Sequence, residues 1–118
     1  MNSEQLDELF QILEKHELAI ARLYETFARV LPETKDAWMV FAKEERLHAH
    51  WITSLYTYVK DGKIQLKQTK VTLQSTKTAI NYIEKQIDKL SKEKPGLKKS
   101  LDSAIDIEKS LLESSFFK

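Results

Sequence analysis

Cysteine is absent from these 118 residues. That excludes disulfides, thiolate metal sites and thiol nucleophiles together. It suits a reducing compartment, so a soluble cytoplasmic protein is the expectation. Glycine and proline are scarce, with two of each, well below ordinary usage; this composition favours long helices joined by short links. No apolar run reaches membrane-spanning length, and no N-terminal run resembles a signal peptide, so no membrane partner is expected. Charge of one sign is also lacking. The formal net charge is +1, which provides no electrostatic footprint for nucleic acid.

What is present is 42% hydrophobic and 31% charged residues, enough for one helical domain over 1–118 with a real core. The charge is uneven along the chain. Residues 1–61 hold seven Lys+Arg against eleven Asp+Glu, a formal −4, and residues 62–118 hold twelve against seven, a formal +5. Halves of opposite sign can attract within or between chains. Much of the basic excess reads as solvated helix faces.

Apolar residues at spacings of three and four predict helices near 3–30, 34–60, 72–92 and 97–117. Asn2 and Ser3 can cap the first, and Pro32 and Thr34 mark the break before the second. Asp61 and Gly62 suit its C-terminus. The short link predicts an antiparallel hairpin. Residues 63–71 alternate apolar and polar, an extended pattern about 30 Å long. This predicts an all-α, ferritin-like four-helix bundle with a long crossover after the second helix. The C-terminal Phe116 and Phe117 need an apolar surface, supplied by this bundle, by another chain or by further residues of a longer relative.

Three apolar stripes contain charged intruders. On the second helix, Trp38, Phe41, Glu45, His48, Ile52, Leu55 and Val59 share a face. On the first, Glu17 interrupts Leu6, Phe10, Leu13, Ile20, Tyr24 and Phe27. On the fourth, Glu108 interrupts Leu97, Leu101, Ala104 and Leu111. A carboxylate or imidazole in a buried stripe is costly unless paired. Glu at i and His at i+3 on an inward face is how a helix offers two ligands to one metal. A buried Glu–His hydrogen bond without metal is the other reading. Glu84 flanks the stripe of the third helix but shares a row with Lys77, Asn81 and Asp88, which faces solvent.

Glu17, Tyr24, Phe27 and Ala28 resemble the first helix of rubrerythrin-type ferritin-like proteins. Trp38, Phe41, Ala42, Glu45, His48 and Ala49 resemble their second helix, whose Glu-x-x-His supplies metal ligands. The segment 104–117, with Glu108 and Glu113, is similar to a later family helix carrying another Glu ligand. The resemblance covers 14–59 and is weaker beyond Gly62. It implies a di-iron or di-manganese carboxylate site that reduces oxygen or peroxide or oxidises ferrous iron, with electrons from a donor protein. Glu17, Glu45, His48 and Glu108 would be the ligands, Glu84 the reserve, and Tyr24 a neighbour able to hydrogen-bond a ligand. The family's full site has four carboxylates and two His, whereas this chain has one Glu-x-x-His. Two copies in a homodimer would supply Glu17, Glu45 and His48 twice. The rubredoxin-like centre needs cysteines and is absent. The competing expectation is a metal-free bundle with a structural or interaction role, whose buried Glu and His residues pair with one another.

Overall fold

The computed structural model describes residues 3–63 and 73–113. Helix α1 spans Ser3–Val30 and α2 spans Lys35–Lys60; α3 spans Leu73–Leu90 and α4 spans Leu97–Glu113. The protein is all-α, four helices packed as a bundle. Residues 64–72, where the extended crossover was expected, and 114–118, which hold Phe116 and Phe117, lie outside the described residues.

The break between α1 and α2 is a single 3-10 turn, Pro32–Thr34, with Pro32 in its first turn. Thr34 stands at the N-cap of α2 but makes no side-chain cap bond. Its Oγ1 donates to the Leu31 carbonyl at 3.3 Å and accepts from Trp38 Nε1 at 3.1 Å. The hydroxyl thus serves the buried indole, which would otherwise carry an unpaired donor. At the far end, Gly62 has φ +75°. Its N–H bonds the Val59 carbonyl, and Lys63 N–H bonds that of Tyr58. This is the Schellman arrangement, in which glycine takes the left-handed position without a Cβ penalty.

The hairpin of α1 and α2 is antiparallel, as the short link requires. Facing pairs rise on one helix as they fall on the other. Tyr56 donates to Asp7, Thr53 to Glu14 at 3.2 Å, and Arg46 makes a two-pronged contact with Glu25. The Phe27 and Trp38 rings lie 4.7 Å apart. Helix α1 is the central element, with buried residues from Leu9 to Ala28 spread around most of its circumference.

The second pair of helices sets its direction against α1. Arg22 lies 3.9 Å from Glu84, and Arg29 and Asp88 line the same groove, so α3 runs in the sense of α1. Phe27 shares a groove with Leu90, Gly96 and Ser103, and Tyr24 reaches Glu108, so α4 runs against α1. Helix direction therefore alternates along the chain. A ferritin-like crossover returns the chain along the bundle and sets α3 against α1. The alternation of Ile64 and Leu66 suggested an extended segment but carried no information on the direction in which α3 enters.

Two apolar clusters form the core. One gathers Ile20, Leu23, Tyr24, Phe27 and Trp38 with Ile80, Ile83, Ala104 and Ile107. The other gathers Leu9, Phe10, Leu13 and Ile52 at the far end of the hairpin. Glu17 and Glu45 are buried at the waist between them. Several expected inward positions differ. Phe41 is 40% exposed, although its ring edge meets Tyr24 and Trp38. On α4 the inward row is Ser100, Ala104 and Ile107, while Leu97, Leu101 and Ile105 are exposed. Both rows keep helical spacing, and choosing the larger residues as the core rotated the helix too far.

Candidate metal centre

Spacing alone places Glu45 and His48 on one side of α2. The antiparallel hairpin then brings Glu17 of α1 opposite them. The ligand atoms of Glu17, Glu45 and His48 all lie within 4.8 Å of one another. His48 Nδ1 is 3.3 Å from Glu45 Oε2 and 3.7 Å from Glu17 Oε2. Both carboxylates are buried, and His48 is partly exposed beside Trp51, ring centroids 5.3 Å apart.

Glu45 stands within hydrogen-bonding reach of both Glu17 and Glu108. Burial raises the Glu45 carboxyl far above the ordinary carboxylate range, and those two contacts and the neighbouring negative charges raise it further. Burial also raises Glu17, opposed by its contacts with Glu45 and His48. A bond between two carboxyl groups needs a proton on one of them, and both members of the pair are raised by burial. Glu17 Oε2 has no hydrogen-bond partner. The His48 ring nitrogen 3.7 Å away offsets only part of the cost of burying this acceptor.

Tyr24 Oη donates to Glu108 Oε1 at 2.9 Å. Burial, and then the charge of Glu108, raise the phenol well above its usual value, so it remains a donor. Glu108 thus borders the cluster through Tyr24 and Glu45 without belonging to the three-residue group. Glu84 stands apart: it is exposed and lies beside Arg22 on the opposite flank of α1. His50 is exposed on the outer side of α2. His16 is lowered to about 4 by burial, neutral at pH 7, and lies outside the cluster. The Glu45–Glu108 link was not legible beforehand. Its only sequence signal was Glu108 interrupting an apolar face.

Carboxylate oxygens and an imidazole nitrogen form a donor set for divalent first-row metals or magnesium-like ions, without a soft ligand. A cation here would satisfy Glu17 Oε2 and displace the proton held between the carboxyl groups. Glu17, Glu45 and His48 are thus a potential metal site, and the residues fit an ion. In the described residues of one chain the group supplies three ligands. The fold and site define an all-α bundle with a buried carboxylate–imidazole cluster at its waist. No protein-family model, no curated protein and no solved structure matches the chain.

Proposed function

We propose that this protein binds a redox-active divalent metal, iron or manganese, through Glu17, Glu45 and His48. The observation that carries this reading is the convergence of Glu17, Glu45 and His48, whose ligand atoms lie within 4.8 Å of one another, around a buried Glu17 Oε2 that makes no hydrogen bond and has His48 Nδ1 3.7 Å away. In this reading Glu108 is a fourth ligand or an acceptor that holds Glu45 in place, and Tyr24 fixes Glu108 by donating to it. Glu84 has no role at the site.

Bound iron or manganese supplies electron transfer to oxygen or peroxide. The resemblance of α1 and α2 to rubrerythrin-type proteins supports peroxide or oxygen reduction, or ferrous-iron oxidation, as the activity. The resemblance rests on the hairpin; the direction of α3 gives no support to a ferritin-like crossover. The chain's own residues would position the ion, with Glu17 and Glu45 buried and His48 as the solvent-facing edge. Electrons would come from a donor protein. A dinuclear site would need a second copy, which doubles the two carboxylates and one imidazole of a chain to four and two.

The second reading is a metal-free bundle. The 3.3 Å His48–Glu45 contact and the bonded carboxyl groups favour it, because shared protons can hold the cluster together. The two readings separate on anaerobic titration of the metal-free protein with Fe(II) or Mn(II), followed by the thermal midpoint. Binding to the native state alone stabilises it by about 2.7 kcal/mol at a hundredfold excess over Kd. A rise that Glu45→Ala abolishes supports the metal site. An unchanged midpoint at millimolar metal supports the shared-proton bundle.

A further inference from the structure

The outer side of α2 is divided. Lys43, Arg46, His50, Thr53 and Thr57 are exposed on one flank, as solvent requires. The other flank carries Val40, Leu47, Trp51 and Tyr58, 55%, 46%, 50% and 48% exposed. Spacings of seven, four and seven place them in one row along the helix. The row abuts the metal cluster, because the Trp51 ring lies against His48. None of the four belongs to either core cluster.

We infer that this row is the contact surface of a two-fold homodimer, covered by the same row of a second copy running antiparallel. The row is self-complementary about its midpoint. When each Leu47 meets the second copy's Trp51, each Val40 meets Tyr58. In the same register Glu44, the acidic residue beside the row, meets Ser54 and not its own copy. Like charges therefore stay apart, as an isologous contact requires. Half-exposed large side chains leave about 100 Å² each, so the row presents roughly 400 Å² of apolar surface. That is about half of the ~800 Å² per partner of a standard interface, the polar residues flanking the row, such as Lys43, Glu44 and His50, being left to supply the rest. The contact closes the solvent edge of the cluster by covering Trp51, and it stands without any metal.

Sedimentation equilibrium in chelator, from about 1 to 100 µM, tests it on the full chain. The expected result is a dimer that Leu47→Glu weakens by at least ~100-fold. Val40→Glu should weaken it as well. Thr57→Glu on the polar flank and Ile105→Glu on the exposed row of α4 should leave it unchanged. All four positions are exposed, and circular dichroism checks that each variant keeps its helices. A monomer at 100 µM overturns the inference, whether the row lies bare or residues 114–118 of the same chain cover it. A dimer indifferent to both Leu47→Glu and Val40→Glu also overturns it, as does one that only Ile105→Glu dissolves. Chelator separates this outcome from failure of the metal reading.

Discussion

The α1–α2 hairpin and the α3–α4 pair use the same helical periodicity for different ends. The hairpin is aromatic and tightly registered. Tyr24, Phe27, Trp38 and Phe41 form one ring-to-ring group, and all three members of the cluster lie in this half. The second pair closes the core with small or aliphatic residues, Ile80, Ile83, Ala104 and Ile107, and reaches the cluster through Glu108. A buried polar group needs a rigid frame if its partners are to stay in reach, and the frame here is the hairpin. The chemistry should therefore depend on substitutions in the first half far more than in the second.

The largest expected contrast is in metal affinity. Glu45→Ala or Glu17→Ala should reduce Mn(II) affinity, read by calorimetric titration, by more than ~100-fold. Tyr24→Phe, which removes only the donor to Glu108, should cost about 10-fold, the range of an outer partner of a ligand. Glu84→Ala should change nothing. Equal losses for Glu45→Ala and Glu84→Ala would erase the distinction between the halves.

Stability should divide in the same way. Trp38→Ala removes a buried indole shared by three rings and should cost about 3–5 kcal/mol in denaturant melts. Ile105→Ala on the exposed row of α4 should stay within about 0.5 kcal/mol. The two glycines offer a smaller contrast. Gly62→Ala places a side chain at φ +75° and should cost about 1 kcal/mol or slightly more. Gly96, outside that backbone region with nothing within 4 Å of an added Cβ, should accept Ala without loss.

Acidity sharpens the comparison further. The Glu17 and Glu45 carboxyl groups hold protons more tightly in the folded chain than in the unfolded one. Below the ordinary carboxylate pKa both states are protonated and the pair costs nothing. Above it the unfolded chain releases its protons while the folded chain retains them or pays to ionise. Stability of the metal-free protein should therefore fall as pH rises above about 4.5. Glu45→Gln should flatten that decline and be more stable than the parent at pH 8 without metal. Urea melts at pH 5, 6.5 and 8 measure this; a parent whose metal-free stability climbs through that range would contradict the buried-proton account.

The hairpin was legible in the sequence because its signals agree. Pro32 and Gly62 bracket α2, the stripes have unbroken spacing, and the intruding Glu17, Glu45 and His48 fall at matching depth. Phe41 was placed inward because the stripe passes through it, yet it lies at the edge where the apolar face turns toward solvent. On α4 the expected stripe held the buried Ala104, but size favoured Leu97 and Leu101 over the buried Ser100 and Ile107. Small residues can approach α1 closely, and hydrophobicity does not report that. Glu84 was ambiguous between stripe and row until Arg22 was seen beside it. The sense of α3 is set by its packing against α1, on which the side-chain alternation of Ile64 and Leu66 is silent.

The central claim is that Glu17, Glu45 and His48 together hold a metal ion. Elemental analysis tests it most directly, on untagged protein loaded anaerobically with Fe(II) or Mn(II), freed of excess by gel filtration, and compared with Glu45→Ala and His48→Ala treated identically. The account predicts about one ion per chain in the parent and a small residue in both variants, with helicity unchanged. A parent that retains no metal, or variants that retain as much as the parent, would contradict it.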